Sequence, residues 1–288
     1  MSIITFWNDT REQSGKTLTS IAFATRLAIE RNSKILLIST SLADSTINDC
    51  FWGNEIQKNL GFFNTRVDNV NLENGIEGLL KLVRSNKLEP SIITDYSKVV
   101  FKGRLEIITG FPGIKSRMWE TNLEDFRKVE DCYIGLIKSA NQYYDIVIVD
   151  IDPALSTKIK EEILKISEIN VYVLSQRMES INRYKELRNK NEDLIRNRCV
   201  PVIGKYISKY KYNAKNIARY LGDKKEMDVI PLNLAYMEAA QEAKVVDLFL
   251  KFKNIKDQTD ENYIFMQCTL NLTNNIMKKM QDMQMKMR

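Results

Sequence analysis

Thr10-Arg11-Glu12-Gln13-Ser14-Gly15-Lys16-Thr17 follows the apolar run Ile3–Phe6 and opens Lys16–Arg31, where Leu18, Ile21, Ala22, Thr25, Ala28 and Ile29 recur at helical spacing. Strand, short loop and helix form the context a phosphate-binding loop needs, because the amides at a helix start are unpaired and carry the positive end of the helix dipole. In this reading Gly15 lets the backbone approach the phosphates, Lys16 neutralises their charge and Thr17 ligates Mg²⁺. Arg11, Glu12, Gln13, Ser14 and Leu18 complete the nucleotide-facing set. Thr10 stands where the usual pattern has its first glycine. A bare Gly-Lys-Thr is common by chance. The plainer alternative is a helix N-terminus with an exposed lysine; the strand before it and the apolar helix after it favour phosphate.

Working outward, further apolar runs fit strands at Lys34–Ser39, Leu105–Thr109, Asp145–Asp150, Asn170–Ser175, Val202–Ile207 and Asp228–Ile230. Most lack polar alternation, the mark of strands covered on both faces. Between them, helices fit Gly75–Leu82, Asn122–Ala140, Ser156–Ile166, Met178–Arg196 and Asn213–Leu221. The alternation predicts an α/β fold, a mostly parallel twisted sheet with helices on both faces. The expected organisation is a single domain over 1–257, with an irregular insertion or elaborated crossover at 44–104, and a Met-rich, basic C-terminal helix over 258–288. Asp150 ends an apolar strand and so reaches the carboxyl edge of the sheet, where ligands bind; from there it can hold Mg²⁺ opposite Thr17. An acid at a strand end also serves commonly as a turn residue.

The 288 residues include no histidine, which excludes Ser-His-Asp and Cys-His mechanisms and His-ligated metals. Cys50, Cys132, Cys199 and Cys268 are scattered, without a C-x-x-C pair. With no export signal in Met1–Phe6 and no apolar run near the roughly 18 residues that span a bilayer, a reducing cytoplasm is the expected compartment. The net charge of +6 permits an acidic partner without requiring one.

The order of these motifs resembles the ParA/MinD family of deviant-Walker P-loop ATPases, over most of the chain and with Soj-like and TadZ-like members in view. Lys34-Ile35-Leu36-Leu37-Ile38 is similar to the family's second strand, and Asp150-Ile151-Asp152-Pro153 to its Asp-x-x-Pro end. Val173-Leu174-Ser175-Gln176, Glu179-Ser180-Ile181, Val229-Ile230-Pro231 and Glu238-Ala239-Ala240 are similar to later segments. The resemblance implies a homodimer formed around ATP and Mg²⁺, and a protein partner that stimulates hydrolysis or recruits the dimer.

The departures from the family pattern bear on catalysis. Arg11 stands for the lysine that crosses to the partner's phosphates; Arg keeps the charge but not the reach. Glu12 and Gln13 replace glycines, and Ser39 and Ser41 replace acids after the second strand, one of which orients water. Asp44 is the nearby substitute. Gly204, followed by Lys205, takes the place of the base-contacting Asn, and Pro231 and Leu232 are the candidate walls of a base pocket. Binding with slow or lost hydrolysis is the expectation, since phosphoryl transfer depends on positioning and charge stabilisation.

Two surfaces remain. Lys205, Lys209, Lys211, Lys215 and Arg219 interleave with Tyr206, Tyr210, Tyr212 and Tyr220; they suit either non-specific DNA phosphates or plain solvation. Ile276, Met280, Met283 and Met287 recur about once per helical turn beside Lys278, Lys279, Lys286 and Arg288. Packing on the chain's own domain, partner contact and, least favoured, a membrane foot all stay open. Three functions compete: a ParA-like positioning ATPase with weak hydrolysis, a non-hydrolysing TadZ-like scaffold, and a metabolic enzyme, for which no acid/base set is visible.

Overall fold

A computed structural model describes residues 2–10, 12–41, 45–53, 75–110, 123–190 and 197–287. The apolar runs become strands of one sheet: β1 (Ser2–Trp7), β2 (Ile35–Ser39), β3 (Lys98–Phe101), β4 (Leu105–Ile108), β5 (Ile146–Asp150), β6 (Ile169–Leu174), β7 (Cys199–Tyr206) and β8 (Asp228–Pro231). Their order is β3-β4-β2-β5-β1-β6-β7-β8. All pairings are parallel except β3 with β4. Every residue of β1, β2, β5 and β6 is buried, which is why these strands read as mostly apolar runs rather than as a strict alternation.

The helices are α1 (Lys16–Glu30), α2 (Thr46–Trp52), α3 (Ile76–Arg84), α4 (Ile93–Tyr96), α5 (Leu123–Ala140), α6 (Thr157–Ile166), α7 (Met178–Lys190), α8 (Ala214–Leu221), α9 (Leu234–Gln241), α10 (Val245–Phe252) and α11 (Glu261–Met287). Successive strand residues point to opposite faces of the sheet. Leu36, Ile38, Val147 and Val149 therefore join Tyr133, Ile163, Ile181 and Ile217 from the helices of one face. Ile35, Leu37, Ile4 and Ile148 join Ile21, Leu27, Phe249 and Phe265 on the other. On that second face α1 is buried nearly all round, with Ile21, Ala22, Phe23, Ala24, Leu27 and Ala28 fully covered. This core helix starts at the phosphate-loop motif, so the loop is anchored to a helix buried in the core.

The structure adds detail in three regions. The described part of 44–104 is regular: it holds α2, α3, α4 and the edge strand β3, which joins β4 through a turn at Gly103 with φ 73°. Four residues on an antiparallel edge carry too weak a pattern to read. The seventh strand starts at Cys199 rather than Val202, and α7 is described to Lys190, 191–196 lying outside the described residues.

The tail is the third. Phe265, Met266, Leu272, Ile276, Met277 and Met280 form the buried face of α11 and pack into the cluster that holds α1. Lys279 Nζ donates to the Cys199 carbonyl at 2.6 Å. The apolar face is therefore covered by the chain itself, the first of the three alternatives its sequence left open, and not offered to a membrane. The side chains of Lys286 and Met287, and Arg288, lie outside the described residues. Among the described residues no helix is long and apolar enough to cross a membrane.

Candidate nucleotide site

β1 is flanked by β5 and β6, with Phe6 level with Asp150 and Trp7 with Tyr172. The loop after β1 therefore opens beside the end of β5 at the carboxyl edge, where α/β sheets bind ligands. Three donors from the first turns of α1 converge on one carboxylate: Lys16 Nζ lies 2.8 Å from Asp150 Oδ1, Thr17 Oγ1 3.0 Å from Oδ2, and Ser20 Oγ 3.3 Å from Oδ1. Asp150 and Lys16 are buried. Behind Asp150, the Thr40 hydroxyl donates to its carbonyl at 3.2 Å and accepts from Asp152 N at 2.8 Å.

The donor set suits a triphosphate with Mg²⁺. Gly15 is in the left-handed conformation, φ 81°, and no side chain caps α1, so the helix's first amides keep their capacity for an anion. A hydroxyl and a carboxylate 3.0 Å apart are hard oxygen ligands of the kind Mg²⁺ takes.

Hydrogen bonds fix the rest of the loop. Asn8 Nδ2 donates to Ser14 Oγ at 3.0 Å, and Ser14 N to the Glu12 carbonyl at 2.8 Å. The Glu12 carboxylate, which would repel phosphate, accepts from the Ser175 hydroxyl at the end of β6. Asp9 accepts from Tyr172 OH at 2.6 Å and from Arg183 Nε. Burial and then the Asp9 bond push the Tyr172 hydroxyl pKa upward, so it stays a donor. Gln13 is exposed, and the half-buried Leu18 packs against the apolar cluster around α1.

Gly204 and Lys205 play parts that the sequence alone did not suggest. A Cβ on Gly204 would stand 2.1 Å from the Ser14 carbonyl oxygen, so β7 abuts the loop through backbone alone. The next residue, Lys205, has φ 49°, a conformation that costs a non-glycine residue about 1–3 kcal/mol. Its side chain crosses Gly15, with Cγ 2.9 Å and Cε 3.5 Å from a Cβ placed there. Pro231 pairs with Tyr206, and Leu232, 40% exposed, lies just beyond. Gln176 accepts from Ile207 N at 2.7 Å and donates to the Tyr212 carbonyl at 2.8 Å, pinning the β7–α8 loop. No sequence pattern marks Gln176 for this role, because its partners lie some thirty residues away.

At the end of β2, Ser39 and Ser41 are buried, and Ser41 N donates to Ser39 Oγ at 3.2 Å. A Cβ on Gly110 would meet the Ser41 carbonyl oxygen at 2.2 Å. Among the described residues 39–41 no side chain is a carboxylate. Arg11 and Asp44 lie outside the described residues. Lys209, Lys211, Lys215 and Arg219 are all exposed, whereas Lys205 is half-buried and turned onto the loop. Between α7 and α8, a cleft of about 450 Å³ is lined by Met178, Ile181, Tyr212, Ile217, Arg219 and Tyr220.

A mostly parallel, helix-covered sheet with its loop-to-helix junction at the centre is the P-loop NTPase class of α/β fold. The particular fold is that of the ParA/MinD ATPases. A ParA family ATPase from Chlorobium tepidum TLS superposes with TM-score 0.67 at 16% identity, over 94% of this chain and 98% of its own. A Borrelia burgdorferi B31 protein assigned to plasmid partition and bound to AMPPNP gives 0.61 at 17% identity, over 95% and 98%. The septum site-determining protein MinD from Pyrococcus horikoshii OT3, complexed with Mg-ADP, gives 0.61 at 14%, over 96% and 98%. No family model matches the chain. A stretch of 101 residues, 34% of the chain, is 30% identical to "Probable polyketide synthase 38" of Dictyostelium discoideum but spans 3% of that protein.

Proposed function

We propose that the chain binds ATP with Mg²⁺ at the β1–α1 loop and acts as a nucleotide-dependent dimeric switch. The switch positions or segregates a cargo, either DNA or a conjugation or pilus machine, with weak hydrolysis. The observation that carries the reading is the convergence of Lys16, Thr17 and Ser20 on Asp150 at the carboxyl edge. Bound Mg²⁺ would neutralise phosphate oxygens. The chain's own residues would supply the rest: Thr17 and Asp150 would hold the ion, Lys16 would add a positive charge, and the uncapped amides of α1 would donate to the anion. Structures of the same fold bound to AMPPNP and to Mg-ADP support this choice of ligand.

A second reading is favoured by one observation, the buried serines at 39 and 41 in positions where the family pattern has acids. It is a scaffold that dimerises around retained ATP, or without it, and does not turn it over. Removing the group that orients water slows turnover and spares binding. The exposed Lys209, Lys211, Lys215 and Arg219 suit contact with DNA phosphates, in which case log affinity falls linearly with log salt.

Calorimetry with MgATP and sedimentation with and without it test the reading. Heat on titration and a doubling of mass support the switch. The absence of heat for every purine triphosphate, in protein that retains no nucleotide on purification, removes the switch and leaves only a scaffold that dimerises without nucleotide. Multiple turnovers of phosphate release remove the scaffold version; retained ATP with no release supports it.

A further inference from the structure

Among the charged side chains of the described loop, each has a counterpart. Asp9 is held by Arg183 and Tyr172, Glu12 by Ser175, and Lys16 by Asp150. Lys205 differs. It enters from β7, and its aliphatic stem runs along Gly15, while no hydrogen bond or ion pair is made by its ammonium among the described residues. Two local features force this path. Gly204 brings the end of β7 against the Ser14 carbonyl, and the β7–β8 register shifts between Ile203 and Tyr206. The left-handed backbone at Lys205 then swings its side chain inward, away from the exposed Lys209 and Lys211. A strained, non-glycine residue that carries an unpaired cation to the lip of an anion cradle is a functional signature, since strain of this kind persists where it serves a site.

We propose that Lys205 is a second phosphate-binding cation of the nucleotide site, supplied in cis by β7, and that it tunes the site toward nucleoside di- and triphosphates over ligands with fewer charges. The inference rests on the loop being a nucleotide site. It adds a residue to the phosphate grip that lies outside the loop motif, and assigns it to the phosphate chain rather than to the base.

The test is calorimetry of MgATP, MgADP and adenosine with the wild-type chain, Lys205→Met, Lys205→Gln and Lys205→Arg, at low and moderate salt. Methionine keeps the stem across Gly15 and removes the charge. Loss of one charge-assisted bond weakens binding about tenfold or more. The expected result is that loss for MgATP in both neutral variants, a smaller loss for MgADP, none for adenosine, and a shallower salt dependence. Lys205→Arg should stay within about threefold of wild type, because it restores the charge. Wild-type MgATP affinity in Lys205→Met and Lys205→Gln overturns the proposal and leaves the nucleotide site standing. An equal loss in Lys205→Arg also overturns it, since the stem's packing would then be what matters. If the wild-type chain itself binds no nucleotide, the nucleotide reading falls first and the Lys205 inference falls with it.

Discussion

The Lys16 ammonium lies 2.8 Å from Asp150 Oδ1, joining the first residue of α1 to the last residue of β5. Both side chains are more than nine-tenths covered. A buried pair contributes little net stability against an apolar replacement, but removing one partner strands the other charge. Asp150→Ala should lower unfolding free energy by about 3–5 kcal/mol, read by chemical denaturation without nucleotide. Wild-type stability in this variant would show that Lys16 has another outlet for its charge.

Lys16→Ala addresses function instead. Loss of its positive charge from the phosphate site should weaken MgATP binding by about tenfold or more and abolish nucleotide-dependent dimerisation in sedimentation. Assembly that proceeds unchanged in this variant means that nucleotide is not the switch.

Gly204→Ala forces a Cβ into the Ser14 carbonyl oxygen, 2.1 Å away, with Val173 Cγ1 at 3.0 Å on the other side. Neither the backbone of the loop nor β6 gives way easily, so overpacking of about 1–3 kcal/mol is expected. The displaced Ser14 should weaken nucleotide binding as well. Thermal unfolding and calorimetry on one sample check both, and a variant with unchanged values would mean that β7 does not brace the loop.

Asp228, at the start of β8, is half-buried. Burial raises its pKa above the ordinary 3.8, and the bond from Asn275 Nδ2 at 2.8 Å offsets part of the rise. Cys268 on α11 faces the same carboxylate; burial first, and then Asp228, push its thiol up to about 11. Because the folded pKa is raised, protonation of Asp228 favours the fold. Its contribution is fully present below the unfolded pKa and is lost as pH rises through the folded value. Asp228→Asn should therefore raise Tm at pH 7, and the gain should shrink as pH falls toward 4. A gain that is constant with pH would assign the effect to packing instead.

Ile276 is fully buried between α11 and the core. Ile276→Ala should cost about 2–4 kcal/mol, whereas Met285→Ala, at a position 71% exposed, should stay within about 0.5 kcal/mol of wild type. Vesicles of anionic lipid should not retain the folded chain through this face. Retention that Met285→Ala leaves intact and Ile276→Ala enhances would show that the helix leaves its groove.

Strands buried on both faces, the helix after Gly15 and the acid at Asp150 were legible locally, because each leaves a contiguous mark: an apolar run, a helical period or a strand-end carboxylate. The fold class follows from their alternation alone. Other features depend on pairs distant in the chain. Ser14 meets Gly204, Glu12 meets Ser175, Gln176 holds Ile207 and Tyr212, and Ile276 settles over α1. Lys205 stood in the sequence both among the candidate nucleotide-binding residues and in the basic run, and its backbone conformation separates it from Lys209 and Lys211. Sequence marked the buried strands, the longer helices of the sheet's crossovers and a loop with the pattern of a phosphate cradle, since those marks are set by near neighbours. Only the folded sheet decided which side chains surround that loop and which face of the last helix is covered, because strand order and crossover packing bring together groups that the chain keeps far apart.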